Sequence, residues 1–354
     1  MKSEKLKAVI LVGGLGTRLQ PLTNDVPKPV VPLLNRPFME HTFAYLKKFG
    51  INDIILALSY LPDAIRERFG DGSGCGVRLT YCLEEEPLGT AGAVKNTEAY
   101  LDGGTFVVLN GDVFTDLDIA AMLDYHRAHK AAATIALHQV EDPSAFGVVE
   151  MDDTGRVGAF IEKPKKEDAT SDWINAGTYL LEAEVLRYAP AGQKYMFEDG
   201  LFPTLLREKE MVYGFRDTGY WLDMGRPETY YQLNTDVLAG RYRSPAMKLG
   251  KGLQAAEGVA VPETVEVTGD VVIGVGCLLG EHVRLAGPTI LGPGCRLEDG
   301  AQVSGSILWN NVAVGGKARV ERSIVCSGMS VAGGTSVRDV VKTISKERPL
   351  ELPN

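Results

Sequence analysis

Residues 7–23 read KAVILVGGLGTRLQPLT, and PKP follows at 27–29. After Lys7 the run to Val12 is apolar, and it stops on Gly13 and Gly14. A buried strand therefore leads straight into a glycine-rich loop. Gly13, Gly14 and Gly16 let backbone N–H groups converge on phosphate oxygens without a Cβ in the way. Thr17 and Arg18 follow, with Lys28 inside the Pro-Lys-Pro element. Arg18 offers a planar fork to a phosphate, and Lys28 offers a point charge. The spacing is neither the GxxxxGK[ST] of a P-loop nor the GxGxxG of a dinucleotide site.

Outward from this loop, short apolar runs alternate with helical patterns over the first 240 residues. Strands are expected at 7–12, 53–58, 78–82 and 105–109, and helices at 37–49, 63–69, 89–100 and 117–129. In the first helix Phe38, Thr42, Tyr45 and Phe49 share one stripe, with Gly50 at the C′ position. Such alternation predicts an α/β domain, Rossmann-like, around a mostly parallel sheet covered on both faces. Ligands of such sheets lie beyond the carboxyl ends of the strands, near a topological switch point.

From about Val259 the periodicity changes to six. One register runs through Val265, Val271, Cys277 and Val283 to Ile307, and a second runs from Val267 to Trp309. The spacing slips by one near Asn310 and resumes at Val312, Ala318 and Ile324. A fixed hexad over so many repeats predicts a stacked solenoid rather than a β-meander. The expected organisation is a catalytic domain at 1–240, a linker at 241–258, a solenoid at 259–340 and a tail at 341–354.

The bulk numbers agree with two domains, since 354 residues exceed the usual single core. A net charge of −9, from 37 basic and 46 acidic residues, disfavours a nucleic-acid backbone as partner. Small phosphorylated substrates remain open, because a few placed cations suffice for them. No apolar run approaches the roughly 18 residues of a membrane span, and the charged N-terminus lacks a signal h-region. Five scattered cysteines without a CxxC pair suit free thiols in a reducing cytoplasm. His126 and His129, three apart on a helix without a third ligand, read as surface histidines.

The glycine loop and the Pro-Lys-Pro element resemble the GGxGTRLxPLT…PKP signature of the sugar-nucleotide pyrophosphorylases, and the resemblance covers the whole chain. Its 259–340 segment resembles the left-handed parallel β-helix of hexapeptide-repeat proteins, which occurs in this family as an appended domain. The resemblance implies that Leu11, Gly13, Gly14, Gly16 and Thr17 bind the nucleotide, together with Glu85, Pro87, Gly89 and Thr90 of EEEPLGTAG at 84–92. Asp112 of Asn110-Gly111-Asp112 and Asp223 of WLDMG at 221–225 would hold Mg²⁺, Asp112 also facing the nucleotide. Gly147, Glu162, Lys163, Asn175 and Gly177 would form the sugar-phosphate pocket, and Trp221 would serve packing. Arg18, Lys28 and Lys163 would be the catalytic cations.

The implied reaction is attack of a sugar-phosphate oxygen on the α-phosphorus of a nucleoside triphosphate. A phosphate monoester with a second pKa of about 6 is already largely ionised at neutral pH, so no general base is required. The two-domain plan and the 85–92 stretch look closest to mannose-1-phosphate guanylyltransferases, with GTP and mannose 1-phosphate as substrates. Glucose-1-phosphate thymidylyl or uridylyl transfer is the alternative within the family, and a non-catalytic regulatory subunit the alternative outside it. His282 sits where related acyltransferases keep a catalytic histidine, but it has no supporting signature, so the solenoid is expected to assemble a homo-oligomer or to regulate.

Overall fold

The computed structural model describes residues 5–352 other than 15, 25, 60 and 345. Residues 1–4, part of the charged lead into the first strand, lie outside them. By contacts the chain forms two compact units, Met1–Leu15 with Thr42–Asp223, and Gly16–His41 with Met224–Asn354.

The first unit is built on β1 (Lys7–Leu11), β2 (Asp53–Leu58), β3 (Arg78–Leu83), β4 (Thr105–Asn110), β5 (Val113–Thr115), β6 (Ala133–Gln139), β7 (Gly147–Met151), β8 (Val157–Glu162), β9 (Trp173–Glu182), β10 (Val212–Asp217) and β11 (Trp221–Asp223). The main sheet runs β8-β7-β9-β4-β1-β2-β3, with β6 also on β9 and β10 on β6. Strands β3, β2, β1 and β4 are parallel neighbours. The continuous apolar runs of β1, β2 and β4 are what burial on both faces requires, whereas β3, at the edge, mixes buried and exposed residues. The helices associated with this unit are α1 (Phe38–Lys48), α2 (Pro62–Phe69), α3 (Gly89–Asn96), α4 (Ile119–Ala128) and α5 (Phe202–Arg207). Helix α1 starts in the segment that groups with the second unit. Asp118 caps α4 by accepting from the N–H groups of Ala120 and Ala121.

Strand β9 is antiparallel to its neighbours and carries a register shift between Asn175 and Tyr179. On one side of that shift Ile174 faces Val148 of β7; on the other, Thr178 faces Leu109 of β4. The irregular residues therefore sit where β9 changes partners. Because β1 lies between β2 and β4, the carboxyl ends of β1 and β4 form the switch point at which such sheets take ligands.

In the second unit three parallel sheets stack into a β-helix. Successive rungs are 18 residues apart at Val271↔Thr289 and 17 apart at Ile290↔Ile307. The shortening falls at Gly305, not near Asn310: Ala286 pairs with Ser304 and Leu291 with Leu308, which leaves one corner residue where the preceding coil has two. Ile307 and Trp309 continue the apolar hexad by eye, yet Leu308 is the one that joins the solenoid core. Trp309 is buried too, 5 % exposed, but against Tyr230. Hydrophobicity alone does not separate the two burials.

The segment 241–258, expected as a linker, contains the first strand of this solenoid, Leu253–Ala255, parallel to Val271–Ile273. It escapes the hexad pattern because a terminal coil need not point apolar residues inward; Leu253 is 39 % exposed. The expected tail at 341–354 likewise carries structure. Val340–Lys342 is the last rung, and Glu347–Pro349 pairs with it antiparallel, covering an open sheet edge.

Helix α6 (Pro227–Leu238) and residues 16–41 group with this solenoid. The Tyr230 hydroxyl donates to Pro32 O at 2.5 Å and accepts from Trp309 Nε1 at 2.9 Å. Asn234 accepts from Leu34 N–H at 3.0 Å, and Asn35 donates to Leu291 O at 2.9 Å. His41 is fully buried between Ser244 Oγ, 2.6 Å away, and Leu33 O. Its burial lowers the imidazole pKa to about 4, so it stays neutral at physiological pH. Replacing Tyr230 by Phe leaves a buried carbonyl and a buried indole N–H unpaired, at a cost of about 1–3 kcal/mol. The urea midpoint of Tyr230→Phe should fall accordingly; an unchanged midpoint would show that these bonds hold nothing.

Candidate active site

The loop after β1 is shaped by contacts that exclude side chains. Ser59 Oγ donates to Gly13 O at 2.5 Å, and a Cβ on Gly13 would lie 2.9 Å from that hydroxyl and 3.3 Å from Glu84 Oε1. A Cβ on Gly14 would meet nothing within 4 Å among the described residues, its chain neighbours apart. Gly16 takes a left-handed φ of 65° and caps the short turn Thr17–Leu19 that carries Arg18. Thr23 Oγ1 closes that loop on Gly16 O at 2.8 Å. Lys28 begins a second turn, Lys28–Val30, behind Pro27. Gly16, Thr17, Arg18 and Lys28 all belong to the segment braced by α6 and the solenoid.

In the first unit, Glu84 turns inward at the end of β3 and accepts from Leu88 N–H at 2.8 Å. Burial pushes its carboxyl above the usual carboxylate range, against that hydrogen bond. Glu85 and Pro87 are exposed. Gly89 opens α3 with φ 74°, and a Cβ there would come within 2.6 Å of Met196 Sδ. The next residue, Thr90, accepts from Phe197 N–H at 2.8 Å and donates to Glu198 Oε2 at 3.2 Å.

At the end of β4, Gly111 N–H donates to Leu11 O at 2.9 Å, and a Cβ on Gly111 would meet that same oxygen at 2.5 Å. Only glycine lets Asn110 and Asp112 flank the end of β1 so closely. The β5–β11 ribbon then sets Asp223 opposite Val113, one residue from Asp112. The two acidic residues thus share one end of a two-stranded ribbon. Beside them the Oδ1 of Asn110 is buried and accepts no hydrogen bond from the described residues.

Gly147 of β7 faces Glu162 of β8 in register, and a Cβ on Gly147 would meet Glu162 Oε2 at 2.9 Å. Lys163 follows with a left-handed φ of 45°, its N–H on Phe146 O at 3.1 Å and its ammonium paired with Glu162. A non-glycine residue in that region is strained. At the β9 irregularity Asn175 Oδ1 accepts from Gly177 N–H at 3.0 Å, and Asn175 Nδ2 donates to the buried Tyr179 hydroxyl at 2.8 Å. Gly177, at φ 71°, packs against Asn110 Nδ2, 2.7 Å from where its Cβ would be.

Trp221 Nε1 donates to Ala176 O at 2.9 Å, with the ring edge-on to Phe146 and stacked on His138 at 5.4 Å. Burial lowers the His138 pKa, so a neutral ring lies under the indole. Trp221 therefore braces the 175–177 bulge besides packing.

Gly147, Glu162, Lys163, Asn175, Gly177 and the Asn110–Asp112 turn are joined by these contacts. Tyr179 and Glu198, which join this network, were not singled out from sequence, and within the Glu84–Glu86 run Glu84 was not distinguished from its neighbours. Glu84 was one of three adjacent glutamates, and only strand parity could have singled it out. His126, read as a surface residue, is 1 % exposed. It lies within 2.7 Å of Thr134 Oγ1 and 3.0 Å of Glu182 Oε1. That hydrogen bond holds the Glu182 carboxyl below its ordinary range.

Residues 7–240 match the family profile described as nucleotidyl transferase. The chain belongs to the nucleotidyl transferase family. Residues 257–341 of this nucleotidyltransferase match the GlmU-like, C-terminal hexapeptide profile. It is 38 % identical over 324 residues to a mannose-1-phosphate guanylyltransferase of Mycobacterium tuberculosis, covering 91 % of this chain and 85 % of that protein. It is 34 % identical over 337 residues to a UTP-glucose-1-phosphate uridylyltransferase of Synechocystis, covering 90 % and 87 %. The crystal structure of HddC from Yersinia pseudotuberculosis superposes with a TM-score of 0.57 at 31 % identity, over 65 % of this chain and 98 % of that one.

Gly111→Ala places a methyl against a backbone oxygen, so the Asn110–Asp112 turn must shift. A displacement near 1 Å costs roughly 100-fold in turnover. Nucleotidyl transfer should fall by about that factor in Gly111→Ala, while Gly158→Ala, with nothing within 4 Å, stays near wild type. Equal activities would show that the turn has slack.

Proposed function

We propose that the chain joins GTP to mannose 1-phosphate, giving GDP-mannose and pyrophosphate. Transfer of a nucleotidyl group to a sugar 1-phosphate is its reaction class, consistent with the named relatives. The observation that carries the site reading is the placing of Asp223 opposite Val113, the residue after Asp112, at one end of a two-stranded ribbon, adjoining the Asn175–Gly177 element through Asn110. Several relatives are mannose-1-phosphate guanylyltransferases, from Mycobacterium tuberculosis, Arabidopsis thaliana and Saccharomyces cerevisiae; they favour the GTP and mannose pair. The Synechocystis uridylyltransferase keeps UTP with glucose 1-phosphate as the second reading.

In this reading one oxygen of the sugar phosphate attacks the α-phosphorus, and the bond from that phosphorus to the β-bridging oxygen breaks as pyrophosphate leaves in line. Lys163 grips the attacking phosphate; its backbone is fixed by Phe146 O and its ammonium by Glu162. Glu162 and Asn175 take sugar hydroxyls. Leu11, the backbone at Gly13, Gly14, Gly16 and Thr17, and the Glu85, Pro87, Gly89 and Thr90 segment receive the nucleotide. Arg18 and Lys28 bind the triphosphate and neutralise the departing pyrophosphate.

Two carboxylates and the orphan amide oxygen of Asn110 are hard oxygen donors of the kind Mg²⁺ takes alongside substrate phosphates. Asp112 and Asp223 would hold it, and bound there it supplies charge neutralisation at the reacting phosphates. Action in the cytoplasm and assembly through the solenoid complete the proposal. No helix among the described residues is long and apolar enough to cross a membrane.

The test is pyrophosphate release with Mg²⁺, crossing GTP, dTTP, UTP, ATP and CTP with mannose, glucose and N-acetylglucosamine 1-phosphates. GTP with mannose 1-phosphate should be preferred. Asp112→Asn should lower its turnover at least about 100-fold, and EDTA should abolish it. Preference for UTP with glucose 1-phosphate would select the second reading, and no turnover with any pair would reject both.

A further inference from the structure

The loop at residues 16–23 is held internally by bonds of short range. Leu19 N–H donates to Gly16 O at 3.0 Å, Gln20 N–H to Thr17 O at 3.2 Å, and Leu22 N–H to Leu19 O at 3.1 Å. Bonds between residues three apart shape a turn without fixing where it points. A partner outside the loop has to do that. At Gln20, next to the turn that carries Arg18, this partner is Arg348. Its Nη1 donates to Gln20 O at 3.0 Å from 328 positions downstream.

Arg348 is delivered there on a fixed strand. Glu347–Pro349 pairs antiparallel with Val340–Lys342. Thr343 N–H closes the connection between them on Lys346 O at 2.8 Å. On the other side Leu350 is buried, and its N–H donates to Asp339 O at 2.8 Å. The second arm of the guanidinium, Nη2, lies 3.9 Å from Glu228 Oε1 in the first turn of α6. That oxygen is buried and accepts no hydrogen bond from the described residues. A buried carboxylate oxygen without a donor is costly, and the Arg348 charge offsets part of that cost. An exposed arginine contact is ordinarily worth little. This one differs because the strand behind it is anchored and the planar fork faces a carbonyl and a carboxylate at once.

We propose that Arg348 is a positioning residue for the nucleoside triphosphate: it aims the turn that carries Arg18, so that the last strand of the solenoid tunes nucleotide affinity. The proposal rests on residues 16–18 receiving the nucleotide. It gives the strand Glu347–Pro349 a part in substrate binding beyond covering a sheet edge.

The experiment uses full-length wild type, Arg348→Ala, Arg348→Lys, Arg18→Ala and, as a control on an exposed arginine of the solenoid, Arg319→Ala. With Mg²⁺ present, the KM for GTP is measured at saturating mannose 1-phosphate, and the KM for mannose 1-phosphate at saturating GTP. Arg348→Ala should raise the GTP KM about 3- to 10-fold and leave the mannose 1-phosphate KM within about twofold. Arg348→Lys, which keeps the charge and a donor, should recover part of the loss, and Arg319→Ala should match wild type. A GTP KM unchanged in Arg348→Ala, even with a lowered urea midpoint, would overturn the proposal and leave Arg348 as a structural strut. Equal rises in both KM values would overturn it as well. Arg18→Ala separates the two failures. If it does not move the GTP KM, or if wild type has no turnover, the reading of the loop falls and this proposal with it. If it raises the GTP KM while Arg348→Ala does not, the positioning role alone falls.

Discussion

The Tyr230 hydroxyl is the contact on which the second unit depends. It gives its proton to Pro32 O and takes one from Trp309 Nε1, in a site where water cannot replace either partner. Around it Asn234 accepts from Leu34 N–H, and Asn35 reaches a carbonyl 256 positions downstream. Arg348 adds a hydrogen bond to Gln20 O. The turns bearing Arg18 and Lys28 are thus framed by residues from α6, the solenoid and its closing strand. The repeats are structural support for a loop at the other end of the sequence. That division is more economical than a rigid loop built locally, since 3₁₀ turns of three residues have little hydrogen bonding of their own.

In the first unit the governing constraint is the close approach of two strand ends. Leu11 O, Gly111 N–H and the absence of a Cβ at Gly111 bring the ends of β1 and β4 together. The β9 bulge packs on Asn110 through Gly177, and Trp221 pins the bulge from the other side. Asp112 and Asp223 put two carboxylates at one end of the β5–β11 ribbon, where a polyphosphate binds only when cations intervene. Such a site therefore favours positioning and charge neutralisation over acid–base chemistry.

Much of this was legible in residues 7–23 and the hexads, because both impose backbone geometry directly. The expected strands at 53–58, 78–82 and 105–109 differ from the observed ones by at most one residue at an end. Apolar runs between glycines leave few alternatives there. The residues that sequence passed over or misread share a different cause. Glu198 is set by a π-turn, Phe197–Leu201, which has no side-chain periodicity, and His126 is buried by the sheet below α4 rather than by its own helix pattern. The rung slip at Gly305 was misplaced because Ile307 and Trp309 are buried on the outer side of the coil. A hydrophobic residue does not announce which of two cores it enters. Leu253–Ala255 escaped for the opposite reason, being a solenoid strand largely exposed to solvent.

A single in-line displacement without a covalent enzyme intermediate is the central claim, and phosphorus stereochemistry addresses it most directly. The preferred nucleoside triphosphate would be supplied as one diastereomer of its α-thio analogue, with the matching sugar 1-phosphate. The configuration of the thio-substituted nucleotide-sugar would then be read by ³¹P NMR. One displacement inverts the α-phosphorus. Retention would require two displacements and a nucleophilic side chain, and it would contradict direct transfer to the sugar phosphate.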